Sequence, residues 1–267
     1  MTEQENEEFD LFGDPEMMKL FMELHSGNPR EGPGDDKSTL EALGIITDQM
    51  DLPDKPRILD VGCGPGMQTV CLAEATTGDV TALDFFPQFL DQLERTAGER
   101  GVGDRIELVK GDMKEMPFEE ESFDIIWSEG AIYIMGFENG LREWKRFLRH
   151  GGGIAVSQIT WLKDTSEIPK DLYDWWMENC PDIRTIGENL AIIEKLGYEV
   201  LGHFTLPESA WLEGYYPSLR VGLERMREKY PNNEKVAALI EMELEEQTLY
   251  ANNSDCYGYE FYVMRKC

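Results

Sequence analysis

The chain is predicted to fold as an α/β protein with a doubly wound, mostly parallel seven-stranded sheet. Three observations carry this. Short apolar runs alternate with helix-compatible segments from Arg57 to Ile159, the pattern of consecutive βαβ units. The stretch Arg57 to Thr69, RILDVGCGPGMQT, runs an apolar strand into glycines at 62, 64 and 66 and then directly into a helix. Acids stand where strands end: Asp60 closes the first run and Asp84, 24 residues on, closes the second. That spacing is close to the one at which a βαβ unit sets an acid over a ribose diol, so the pair describes a nucleoside site.

The elements follow in order. After an acidic start, MTEQENEEFD, an apolar cluster begins at Phe9. A helix then opens with Asp14 as N-cap, Pro15 in its first turn and an apolar face of Met17, Phe21 and Leu24. Gly27 to Asp36, with Pro29, Arg30, Gly32, Pro33 and Gly34, is irregular. A second helix is predicted from Ser38, with Glu41 completing a capping box and Leu40, Leu43 and Ile46 inward. Residues 1–50 thus form an N-terminal helical cap on a domain spanning 51–267. Strands are expected at Arg57–Val61, Val80–Leu83, Ile106–Val109, Phe123–Trp127, Gly153–Ile159, Glu199–Thr205 and Tyr257–Met264. A helix carrying Leu141, Trp144 and Leu148 should stop at Gly151, with His150 as a C-terminal charge. Two insertions interrupt the pattern, 161–180 and 206–250, and both are rich in aromatics, among them Trp161, Trp176 and Trp211. Those rings either staple the inserted helices down or line an acceptor cavity.

Composition narrows the function. With 53 acids against 25 Lys plus Arg, the net charge of −28 disfavours nucleic acid and anionic lipid as partners. No apolar run approaches a membrane span, and no secretory signal core is visible. The five cysteines form no CxxC pair and are odd in number, so neither a disulfide framework nor a metal centre is expected, and the cytoplasm is the default compartment. Cys63, inside the glycine loop, reads as a packing residue.

The chemistry of the loop selects the nucleoside. A dinucleotide fingerprint wants glycine or alanine where this chain has Met67, and Asp60 would repel a pyrophosphate while anchoring an ammonium group. The stretch resembles the class I S-adenosylmethionine (SAM)-dependent methyltransferases over about Arg57 to Gln158, through an acid followed by GxGxG. The RxGPG stretch at Arg30 and Ser128-Glu129-Gly130-Ala131-Ile132-Tyr133 are similar to a group of prokaryotic small-molecule methyltransferases. The resemblance implies a cofactor site of Asp60, Gly62, Cys63, Gly64 and Gly66 at the methionine end and Asp84 with Phe85 at the ribose. It further implies Asp112 and Met113 at the adenine, Ser128 beside them, and Arg30 on the methionine carboxylate, although Arg30 also reads as a plain surface arginine. It makes the N-terminal helices and the insertions lid elements and implies that the last strand runs antiparallel beside the sixth.

Glu129 and Tyr133 follow the end of the fourth strand, where this fold aims the methyl group, and are the candidate catalytic residues. Each also has a packing or capping reading. Trp161, Trp176, His203 and Trp211 are the candidate acceptor contacts, although His203 reads first as a buried histidine satisfied by its neighbours. The expected activity is methyl transfer from SAM to a small molecule. The alternatives are a SAM-binding regulatory or non-catalytic subunit and, disfavoured by Met67 and Asp60, an NAD enzyme. The oligomeric state is not legible.

Overall fold

The computed structural model describes residues 14–267, so the apolar cluster expected from Phe9 and the first acidic residues lie outside the described part. The strands are β1 (Arg57–Val61), β2 (Asp79–Asp84), β3 (Ile106–Lys110), β4 (Phe123–Glu129), β5 (Leu148–Trp161), β6 (Arg184–Thr185), β7 (Tyr198–Thr205) and β8 (Tyr257–Lys266). They join one sheet in the order β3-β2-β1-β4-β5-β8-β7, with the two-residue β6 paired to the end of β5. All pairings are parallel except those of β8, which runs antiparallel between β5 and β7. The expected seven strands are present, and β6 is the addition. Strand order reverses between β1 and β4, the switch point at which open α/β sheets bind ligands.

The helices are α1 (Pro15–His25), α2 (Asp36–Gln49), α3 (Met67–Ala75), α4 (Pro87–Glu99), α5 (Phe137–Trp144), α6 (Lys170–Asn179), α7 (Ile186–Lys195), α8 (Tyr216–Lys229) and α9 (Glu234–Asn253). Alternation along the strands sorts side chains onto two faces. One face carries Leu59, Val61, Ile126, Val156 and Tyr262 against α5 and α7. The other carries Ile58, Trp127, Ile159, Trp161, Tyr257 and Phe261 beneath α2, α3, α8 and α9. Asp60 and Glu129 share the second face by strand parity, on the same side of the sheet as α2, α3, α8 and α9.

Three expectations need correction. The second helix starts at Asp36, because Asp35 outcompetes Ser38 as N-cap and accepts from the Ser38 N–H at 2.7 Å. The buried face then becomes Thr39, Ala42, Leu43 and Ile46, and Leu40 is exposed. Strand β5 begins at Leu148 and takes up the Arg149-His150-Gly151 stretch read as a helix end, with a register shift opposite Phe123–Ile125 absorbing the glycines. Trp161 ends β5, so the first insertion contributes only α6 as a helix.

The cap and the second insertion form one body. Helix α1 crosses α8 so closely that a Cβ on Gly222 would sit 2.3 Å from the Leu24 carbonyl oxygen. The Arg225 guanidinium donates to the carbonyls of Glu23, Leu24 and Ser26, satisfying the open end of α1. Lys235 on α9 pairs with Asp14 and Glu16 at the other end.

Candidate functional site

Gly62 follows β1 at φ 71°, and a Cβ there would meet the Ala131 Cβ at 2.6 Å. Gly66 caps α3 at φ 83°, and its missing Cβ leaves room for Leu93 of α4, which would stand 2.4 Å away. Both positions demand glycine for conformation and for packing. The loop is held from β2: Asp84 accepts from Gly64 N–H through one oxygen and from Phe86 N–H through the other, each at 2.8 Å. Burial raises the Asp84 pKa, and these backbone donors pull it back.

Asp60 is fully buried; Thr69 on α3 donates to its Oδ2 at 2.5 Å, and Oδ1 has no partner. Desolvation lifts its pKa to about 7, against the Thr69 hydrogen bond. An orphaned carboxylate oxygen this deep calls for a cationic partner. Phe85, 59% exposed at the end of β2, offers a bare aromatic face. Met113 lies beside the loop, with its Cε 3.2 Å from where a Gly62 Cβ would be. Asp112 is exposed, and one oxygen accepts from Lys114 N–H.

Two expected cofactor contacts face elsewhere. Ser128 is fully buried and donates to the Val61 carbonyl at 2.9 Å, stitching β4 to β1. Cys63 is buried with its thiol toward the Gly64 carbonyl, and burial drives its pKa well up, as suits a packing residue.

Glu129 reads from the sequence either as an acceptor-side catalytic group or as a cofactor contact or turn cap. In the structure it accepts from Arg30 Nη1 at 2.7 Å, Thr39 Oγ1 at 2.7 Å and Trp127 Nε1 at 2.9 Å. Arg30 is thereby drawn from the cap onto the end of β4, and it also pairs with Asp36 at 2.9 Å. Tyr133 keeps 44% of its surface while desolvation raises its pKa. Nearly half of the side chain is therefore open beside the end of β4. Tyr215 and Tyr259 are alike: both are only partly covered, both phenols are pushed up by desolvation, and a Cβ on Gly130 would lie 3.6 Å from the Tyr259 hydroxyl.

The tryptophans are packed into the core. Trp161, Trp176 and Trp211 are 1%, 9% and 2% exposed and form an edge-to-face cluster around Tyr257, with Trp211 also stacked on Tyr250 at 3.9 Å. His203 lies on β7, in register with Tyr262 on the far face of the sheet, and pairs with Glu260 at 2.6 Å. Three strand spacings separate it from Ser128, roughly 14 Å.

A buried triad escaped sequence reading. His25 of α1 stands 2.8 Å from Glu31 through Nδ1 and 3.4 Å from Glu243 of α9 through Nε2. Neither carboxylate makes an aligned hydrogen bond to the ring: Nε2 and both Glu31 oxygens have no hydrogen-bond partner, and Nδ1 has the Asn28 amide nitrogen at 3.5 Å. Burial alone would lower its pKa; the two carboxylates outweigh that and raise it to about 9. Glu31 adjoins the glycine loop, its Cγ 3.6 Å from where a Gly64 Cβ would be.

Comparison with known proteins agrees with this geometry. Residues 58–152 match the family model of a methyltransferase domain. The chain is 25% identical over 194 residues to Methyltransferase GfsG of Streptomyces halstedii, covering 68% of this chain and 70% of that protein. It is 29% identical over 150 residues to the sterol 24-C-methyltransferase of Pneumocystis carinii, covering 54% of this chain but only 40% of the sterol enzyme. In structure it is similar to a SAM-dependent methyltransferase from Geobacter sulfurreducens in complex with S-adenosylhomocysteine, with a TM-score of 0.77, 23% identity and coverage of 93% and 98%. Residues 58–152 are a methyltransferase domain by this match, and the chain shares its fold with SAM-dependent methyltransferases. No helix among the described residues is long and apolar enough to cross a membrane.

Proposed function

We propose that the protein methylates a small, neutral or cationic metabolite held between the end of β4 and the body formed by α1, α8 and α9. One observation carries this reading: Tyr259 of β8 reaches over Gly130, its hydroxyl 3.6 Å from where a Cβ would be, directly past the carboxyl end of β4 and beside the half-exposed Tyr133. When bound, SAM supplies an electrophilic methyl on a sulfonium whose departure leaves a neutral thioether, so the chain's task is placement and exclusion of water.

Asp60 would hold the ammonium group through its free oxygen, Asp84 the ribose hydroxyls, and Phe85, Asp112 and Met113 the adenine. Arg30 would take the methionine carboxylate. Glu129 is best assigned as a positioning residue: with three donors on its two oxygens it has little capacity left as a base, and it fixes Arg30 at the strand end. Tyr133 would stand at the acceptor's reacting end. The cap and insertion act as a lid, and the acidic exterior keeps nucleic acid away. Free thiols throughout suit a reducing cytoplasm.

A sterol enzyme among the relatives fits a small-molecule acceptor in general, but the carboxylates of Glu31, Glu129 and Glu246 on this side of the sheet suit a polar molecule better than a sterol. The test is S-adenosylhomocysteine release with a panel of amines, alcohols and acids. Turnover on a metabolite, lowered at least tenfold in Tyr133→Phe with normal SAM affinity, supports the reading. Faster methylation of tRNA or protein than of any metabolite overturns it.

A further inference from the structure

The interior between the lid and the sheet carries more negative charge than the chain itself offsets. Asp60, Asp84, Glu31, Glu129, Glu243 and Glu246 gather there, against Arg30 and the His25 imidazolium. Arg30 is taken up by Glu129 and Asp36, and His25 by Glu31 and Glu243. The cofactor adds one net positive charge, an ammonium and a sulfonium against one carboxylate, and Asp60 awaits it.

Glu246 is left over. It sits one turn beyond Glu243 on α9, mostly withdrawn from water, and accepts from the Tyr216 hydroxyl at 2.9 and 3.1 Å. The only charged group acting on it among the described residues is Glu243, of like sign. A carboxylate with a hydroxyl but no cation is poorly compensated when desolvated, and its pKa is raised to about 7 mainly by burial. The aromatic surroundings are those of a cation site. The Tyr215 ring lies 5.8 Å from that of Tyr216, whose hydroxyl holds Glu246, and Tyr259 joins the same aromatic cluster through Trp211 at 5.6 Å, its hydroxyl 3.6 Å from where a Gly130 Cβ would be. A separate observation points to a missing ligand: the Tyr257 hydroxyl, on the same lid-facing row of β8 as Tyr259, is fully buried within range of Glu246 and has no hydrogen-bond partner.

We propose that Glu246, with Tyr215, Tyr257 and Tyr259, is the recognition site for a positively charged ammonium group on the methyl acceptor. The inference rests on the methyl-transfer reading and narrows its substrate class from neutral or cationic to cationic. The carboxylate would supply the opposite charge, the phenol faces the cation–π surface, and the Tyr257 oxygen an acceptor for an ammonium N–H.

The test uses the full chain saturated with S-adenosylhomocysteine, titrated calorimetrically with tetramethylammonium and with tert-butanol, a neutral molecule of nearly the same size. Saturable binding of tetramethylammonium at least tenfold tighter than tert-butanol is expected. Glu246→Gln should erase that preference while leaving S-adenosylhomocysteine affinity within twofold. Tyr216→Phe, which removes the hydroxyl but keeps the charge, should retain a preference of at least threefold, separating charge recognition from lost packing. Equal binding of the two probes, binding of neither, or a preference that survives Glu246→Gln overturns the site. Failure of the wild-type chain to bind S-adenosylhomocysteine at all strikes the methyl-transfer reading instead, and is seen before either probe is added.

Discussion

The two sides of the active space are built on opposite principles. The cofactor side is backbone held by local geometry: glycines at positive φ, a turn fixed by two N–H donors to Asp84, and a helix seated on Leu93. The acceptor side is side chain held by long-range charge: Arg30 to Glu129, His25 to Glu31 and Glu243, Lys235 to Asp14 and Glu16. A backbone turn is either right or absent, whereas ion pairs between separate helices can be broken one at a time. The cofactor side should therefore fail abruptly and the acceptor side in steps.

Gly66→Val is the harshest test. It places a branched side chain where Leu93 stands and at a φ that β-branched residues avoid. Overpacking and the left-handed backbone each cost about 1 to 3 kcal/mol. Urea denaturation should show a loss of ~2 to 5 kcal/mol together with loss of S-adenosylhomocysteine binding; a stable, binding variant would blur the contrast.

Glu129→Ala strikes the seam between the two sides. It leaves Arg30 largely buried with only the exposed Asp36 as a partner, and removes the acceptor for Trp127 and Thr39. Uncompensated burial of one member of such a pair costs up to about 3 kcal/mol. Limited proteolysis between residues 27 and 34 should accelerate, and turnover should fall at least tenfold. Unchanged cleavage would mean that Arg30 does not hold the cap.

The same contrast explains what could be read from sequence. Buried parallel strands are continuous apolar runs, and Asp60 and Asp84 close two of them, so sheet and cofactor loop were visible before any coordinates. Short-range rivalry defeated the helix boundaries: Asp35 and Ser38 both make good caps, and choosing the second turned Leu40 inward when it faces solvent. The glycines at 151 to 153 mimic a helix stop, although β5 absorbs them with a register shift. The acceptor side was opaque because its partners are far apart in the chain. Nothing near His25 announces Glu243, and nothing in Trp161 or Trp211 separates a packed ring from one lining a cavity. His203, read first as a histidine satisfied by its neighbours, has its partner in Glu260 on the neighbouring strand, which the sequence could not name.

The clasp at His25 gives the contact between α1 and α9 a pH signature. Its pKa is raised from 6.5 to about 9 in the folded chain. The stabilisation is therefore complete below the unfolded value and is lost as pH climbs through 9. At full strength that shift corresponds to at most about 3 kcal/mol. Stability of wild type relative to His25→Gln should narrow between pH 6.5 and 9, read from urea midpoints at each pH. A constant difference would refute an imidazolium clasp.

The smallest effect belongs to the cofactor side and concerns a single proton. Asp60 has its pKa lifted from 3.8 to about 7, chiefly by burial. With a raised folded pKa the carboxyl favours the folded state at low pH, and that advantage fades as pH rises from about 4 through 7. An ammonium group at the free oxygen reverses the preference, since it needs the carboxylate. At pH 6 the ligand-free chain holds the proton on Asp60 and must release it when S-adenosylhomocysteine binds; at pH 8 there is none to release. Calorimetry at pH 6 in two buffers of different ionisation enthalpy should show release approaching one proton, and affinity should rise up to about tenfold from pH 6 to 8. Asp60→Asn should bind more weakly with no proton released at either pH. Proton release at pH 6 that persists in Asp60→Asn would move the linked group elsewhere, with Glu246, also raised to about 7, next to be tested by Glu246→Gln.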